Sequence, residues 1–282
     1  MKDILVAIDF SKCSIHALEY AINMANTTGS NVLMVWVDNI RSDESLFPDY
    51  KGDNRKEITS NFNELIKKYG SELRGGELSF KIRKGKVHHE IANQAKYSDV
   101  RLIVTGTHGV TGFEEFWIGS NAYRIVTYAP CPVITVRTNY KFKPGIHKVV
   151  LPIDSSVETR QKLPFTTKLA KYFDSEIHVI GLYSTSIRAV RQKVDDYLKQ
   201  VSKYLEEENI KYKVENLEAE NITNAAIDYA NDVDADIIAI MTEQETTTAN
   251  LFLGAYAQQM VNHSPIPVLS IHAREYIRTQ TR

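Results

Sequence analysis

LIVTGTHGVTGFEEFWIGSNA, residues 102–122, decides the fold. Its first four residues are continuously apolar, the pattern of a strand covered on both faces. Glycines follow at 106, 109, 112 and 119, a density that costs backbone entropy and implies tight turning or close approach. The stretch SNAYRIVTYA then has helical spacing. A loop from the carboxyl end of a strand to the start of a helix meets backbone N–H groups without intrahelical partners and the positive end of the helix dipole, a setting suited to an anion. Gly106 and Gly109 would let the backbone bend and phosphate oxygens approach; Gly119, Ser120 and Asn121 would offer amides and a hydroxyl at the helix start. Neither a Gly-Lys-Ser/Thr loop nor Gly-x-Gly-x-x-Gly occurs. From spacing alone, a phosphate cradle and a plain tight turn both remain open.

Outward from this stretch the chain repeats itself, and a repeat decides the architecture. At an offset of 135 residues, Asp99 matches Asp234, Ile103 matches Ile238, Gly119 matches Gly254, Ala122 matches Ala257, and Pro130 and Pro132 match Pro265 and Pro267. The first strands, KDILVAIDFS and HKVVLPIDSS, pair Asp9 with Asp154 at an offset of 145. The first copy thus carries ten extra residues, assigned to the polar stretch DNIRSDESLFPDYKGDN. Within each copy, apolar β-rich runs alternate with helical periodicity, giving five strands joined by crossover helices. The expected class is α/β: two tandem, doubly wound, five-stranded parallel-sheet domains at 1–140 and 147–282, with 141–146 as linker. Ser11 is the N-cap and Gly29 the stop of the first helix. Such sheets bind ligands beyond the carboxyl ends of their strands, where strand order reverses, and Asp9, Val37 and Gly106 all end strands. The last strands, PVITVR and PVLSIH, leave apolar edges that invite pairing.

Composition narrows the functional classes. The 282 residues are 43% hydrophobic, enough for two ordinary cores. Lys+Arg 34 against Asp+Glu 35 leaves no nucleic-acid footprint. Two cysteines, Cys13 and Cys131, are too few for a disulfide framework. With neither a signal-peptide pattern nor a membrane-length apolar run, a soluble cytoplasmic protein is expected, without membrane or nucleic-acid partners. His88 and His89 lie about 100° apart on a helix, which excludes an i, i+4 metal pair and leaves a solvated helix start. Trp36 reads as strand core; Trp117 reads as packing or as a lid over a ligand. The charged run KQVSKYLEEENIKYKVE reads as a solvated amphipathic helix entering a strand.

Gly106-x2-Gly109-x9-Gly119-Ser120, together with ILVAIDFS and GKVHHEIANQAKYSDVRLIVTGTHG, closely resembles the universal stress protein family over nearly the whole chain. The resemblance implies ATP, with or without magnesium. It places Asp9 and Val37 at the nucleoside, Gly106, His108 and Gly109 along the ribose and phosphates, and Gly119, Ser120 and Asn121 at the phosphates. It also implies that the final strands mediate pairing, here between the halves as an intrachain pseudo-dimer, with a homodimer of chains left open. In the second copy Met241, Glu243, Gln244 and Ala255 replace Gly106, His108, Gly109 and Ser120. β-carbons then block close approach, and Glu243 with Glu245 adds negative charge. The expectation is one nucleotide site, in the first half, in a stress-response module read by an unknown protein partner. The rivals are a slow ATP hydrolase and a structural or hydrophobic-ligand module.

Overall fold

The computed structural model describes residues 3–39, 52–108, 118–242, 244–247 and 250–273. The first half runs β1 (Ile4–Ala7), α1 (Lys12–Thr28), β2 (Val32–Asp38), α2 (Gly52–Tyr69), β3 (Leu78–Lys84), α3 (Val87–Tyr97), β4 (Leu102–Gly106), α4 (Ser120–Tyr128) and β5 (Val133–Val136). The second half runs β6 (Lys148–Ile153), a 3-10 turn (Val157–Arg160), α5 (Leu163–Phe173), β7 (Glu176–Tyr183), α6 (Arg188–Glu207), β8 (Tyr212–Glu218), α7 (Ile222–Asp232) and β9 (Ile237–Thr242). It closes with β10 (Gln244–Thr247), β11 (Asn250–Leu253), α8 (Ala255–His263) and β12 (Val268–His272).

The apolar strands are covered on both faces, as their unbroken runs require. Val6, Val104 and Ile134 enter one buried layer, while their chain neighbours Leu5, Ile103 and Val133 enter the other. The order is β3-β2-β1-β4-β5-β12-β9-β6-β7-β8. Each half therefore reverses winding direction once, between β1 and β4 and between β6 and β9. All pairings in this sheet are parallel except β5 with β12, where Ile134 faces Leu269 in antiparallel register. The apolar terminal strands cover each other, giving the pseudo-dimer and removing two bare edges. The expected pairing of the two edge strands joins the two five-stranded halves into one sheet of ten strands.

Local signals hold. Ser11 Oγ accepts from Ser14 N–H at 3.2 Å, and Gly29 takes a left-handed conformation at φ 64°. Helix α6 buries Val194, Leu198, Val201 and Leu205, the apolar stripe of an otherwise solvated helix. The connection from β2 to α2 covers residues 39–51, its counterpart only 184–187, so the surplus of the first half lies there. The segment read as a linker is held against α1: Asn23 Nδ2 donates to Lys143 O at 3.3 Å, Gly145 N donates to Asn23 Oδ1 at 3.0 Å, and Tyr140 O lies 2.7 Å from His16 Nε2. Both cysteines are buried and neither is in a disulfide. Among the described residues no helix is long and apolar enough to cross a membrane.

Candidate functional site

At the β1/β4 reversal the carboxyl ends of β1, β2 and β4 and the start of α4 enclose a cavity of about 310 Å³. Seven residues singled out in the sequence line it: Asp9, Val37, Gly106, His108, Gly119, Ser120 and Asn121. Gly109, Trp117 and Glu243 lie outside the described residues, as does the side chain of Glu245. Trp36 also lines the cavity, half-buried, instead of being sealed in the strand core.

Asp9 is anchored from its own turn. Its Oδ1 accepts from Ser11 N–H at 3.0 Å, and its N–H donates to Ser14 Oγ at 3.3 Å. The turn and the cavity wall are thus served by one carboxylate, whose second oxygen remains available as an acceptor. Gly106 has a packing reason for being glycine: a Cβ there would stand 2.7 Å from Cys13 Sγ and 2.9 Å from the Cys13 backbone carbonyl. The close approach is made by α1. Gly119 N–H donates to Thr107 O at 2.7 Å, closing the base of the loop. This corrects the expectation that the Gly119 amide is offered to a ligand. First-turn amides still lack intrahelical partners at Ser120, Asn121 and Ala122, at the positive end of the helix dipole. His108 Nδ1 lies 2.8 Å from Thr107 Oγ1, whereas its Nε2 is buried without a hydrogen-bond partner among the described residues.

The sequence reading missed Ser14, Val87, Ile91 and Ala122 in this wall. Val87 and Ile91 stand four apart on α3, one helical face turned to the cavity, and that spacing was the available signal. His88 was expected in solvent but is 7% exposed and packs on the Tyr128 ring at 4.9 Å. Burial, with the nearby His89, Arg124 and Lys86, pushes its imidazole down to about 4. Among the described residues no group of three His, Cys, Asp or Glu is placed to hold a metal.

The equivalent place in the second half is filled at the end beside the start of α8. What remains beside Met241, Gly254 and Asp154 is a void of about 30 Å³, room for one water. Two side chains fill it: Tyr256, which stands where the first half has Asn121, and Lys162, which stands where it has Ala17. Lys162 is 2% exposed, and its Nζ donates to Thr159 O at 2.6 Å and Thr159 Oγ1 at 3.3 Å. Burial pulls its ammonium down to about 8, against the opposing pull of Asp154. Tyr256 Oη is buried without a hydrogen-bond partner among the described residues, and burial, then Asp154, raises its phenol. Gln244–Thr247 and Asn250–Leu253 pair as the antiparallel strands β10 and β11, with Gln244 opposite Leu253. The other end of that place stays open as a recess of about 180 Å³ lined by Asp154, Leu182 and Ile222, which stand where the first half has Asp9, Val37 and Val87.

The family model described as the universal stress protein family matches residues 1–137 and again 145–272. Curated relatives include a universal stress protein of Methanocaldococcus jannaschii, 31% identical over 146 residues, covering 48% of this chain and 82% of the relative. YxiE of Bacillus subtilis, also named a universal stress protein, is 30% identical over 143 residues, covering 47% of this chain and 97% of its own. Among solved structures, a universal stress protein of Archaeoglobus fulgidus superposes with a TM-score of 0.77 at 16% identity, over 96% of this chain and 98% of that one.

Proposed function

Because this chain belongs to the universal stress protein family, carrying its domain twice in tandem, we propose that it is a regulatory module that binds one adenine nucleotide, ATP, in its first half. The observation that carries this reading is the contrast between two matched places in one fold. The first half keeps one cavity of about 310 Å³, within the ordinary size range of small-molecule sites at roughly 300–1,000 Å³, whereas the second keeps about 30 Å³ beside the start of α8 and a recess of about 180 Å³ beside Leu182 and Ile222.

The walls fit the parts of a nucleotide. Val37, Val87 and Ile91 give a flat base an apolar slot, and Asp9 offers an acceptor to ribose hydroxyls. The first-turn amides of α4 lie at the opposite end, suited to phosphates. The described wall contains no lysine or arginine, so phosphate charge falls to amides, the helix dipole and a magnesium ion bound through the phosphates and its own waters. No carboxylate pair or arginine is placed there for phosphoryl transfer, which favours binding over turnover. Buried cysteines outside any disulfide suit a reducing cytoplasm.

The test is denaturing extraction of freshly purified protein with chromatographic identification of bound nucleotide, followed by calorimetric titration with ATP and magnesium. One adenylate per chain, abolished by Ala122→Gln, which fills the cavity beside α4, is the expected result. Two per chain would refute the single-site assignment, and no uptake at millimolar ATP would refute the nucleotide reading.

A further inference from the structure

The loop between β4 and α4 is pinned at its base by two amides. Gly119 N–H donates to Thr107 O at 2.7 Å inside the first half. Ile118 N–H donates at 3.1 Å to Asn262 Oδ1, a side chain of α8 in the second half. Asn262 is 3% exposed. Its backbone is held as well: Arg137, just past β5, donates through Nε to Ser264 O at 2.8 Å and through a terminal guanidinium nitrogen to Asn262 O. The arrangement is reciprocal, because Leu253, which is Ile118 moved by the repeat offset of 135, donates its N–H at 3.3 Å to Tyr123 Oη on α4. Each half thus fixes the residue that enters the last helix of the other.

That residue matters more in the first half. Ile118 lines no part of the cavity, yet it immediately precedes Gly119, Ser120 and Asn121, which do. A helix start binds an anion through several short hydrogen bonds at once, so an error in the entering chain weakens all of them together. We propose that Asn262 is a positioning residue for the nucleotide site of the first half. The second half, narrowed at its own site, then acts as the support that sets the affinity of the other. This inference rests on the nucleotide reading above.

The full chain tests it by calorimetric titration with ATP and magnesium. Asn262→Leu removes the acceptor from a buried N–H and is expected to weaken ATP binding about tenfold, at unchanged stoichiometry. Asn262→Asp restores an acceptor at the same place and is expected to bind within about threefold of wild type. A folding defect alone would lower the stoichiometry and leave the affinity of the folded fraction intact. Asn262→Ala, which adds no bulk, replaces the leucine variant if that variant does not fold. Wild-type affinity in the leucine or alanine variant overturns the proposal, and so does failure of the aspartate to rescue. If wild type itself takes up no adenine nucleotide, the nucleotide reading falls. The clamp is then judged by hydrogen exchange at the Ile118 amide: faster exchange in Asn262→Leu upholds it, and an unchanged rate overturns it.

Discussion

Lys162 offers the most quantitative test of how the second site was narrowed. Its ammonium lies in the wall of the 30 Å³ void, 2% exposed, with burial lowering it from the ordinary 10.5 to about 8. A cation whose folded value is depressed binds its proton less readily in the folded state. The stability it confers is complete above about pH 10.5 and is lost as pH falls toward 8. At 1.36 kcal/mol per pH unit the full span is about 3 kcal/mol. Between pH 7 and pH 10, where the unfolded chain still keeps part of its protons, the change is about 2–3 kcal/mol. Lys162→Met keeps the stem and removes the titrating group. At pH 7 it relieves this penalty but strands Thr159 O, a loss of about 1–3 kcal/mol, so the two effects nearly offset. The pH dependence is decisive because it does not contain the Thr159 contribution. Urea unfolding of wild type and Lys162→Met across this range should show wild type gaining about 2–3 kcal/mol on the variant as pH rises. Tyrosine titrations common to both proteins cancel in the difference. A difference that stays flat within about 0.5 kcal/mol would refute the burial of a strained ammonium at this site.

Gly106→Ala pushes a Cβ to 2.7 Å from Cys13 Sγ and 2.9 Å from the Cys13 carbonyl, and should cost about 1–3 kcal/mol by chemical denaturation. Adding Cys13→Ala should recover only part of the loss, because the backbone carbonyl remains. The His88 imidazole, held near 4, contributes stability that is present above pH 6.5 and is lost as pH falls toward 4; His88→Gln should flatten that acid limb by up to about 3 kcal/mol between pH 7 and pH 4. Asp236, 6% exposed, accepts at Oδ2 from His147 N at 2.6 Å and Lys148 N at 2.9 Å. Asp236→Ala should lower unfolding stability by about 2–4 kcal/mol, since two amides at the start of β6 lose a charged acceptor.

Local chemistry was readable along the chain because it depends on neighbours a few residues apart. The N-cap at Ser11, the left-handed stop at Gly29, the unbroken run of β4 and the helical start at Ser120 each follow from spacing and backbone preference. Duplication could be read for the same reason, since offsets of 135 and 145 are properties of the sequence. Those offsets also located the surplus residues between β2 and α2. The convergence of Asp9, Val37 and Gly106 followed from one further rule, that doubly wound sheets gather ligands where winding reverses.

Contacts between distant segments had to await the tertiary structure. The reason Gly106 is glycine is an α1 residue 93 positions earlier, and nothing in the motif points to it. The amide of Gly119 is spent on Thr107, because a loop must close its own base before it can present a site. His88 is buried by the ring of Tyr128 on another helix. The second-half cavity is narrowed beside α8 by Lys162 and Tyr256, which lie outside the glycine positions that mark the motif as lost. The grip of Asn262 on Ile118 arises where β5 meets β12. Sequence alone determined which residues form each repeat and at which end of each sheet a cavity is expected. Packing between segments decided how much of each cavity stays open, because cavity volume is set by whatever side chains the rest of the fold sends into it.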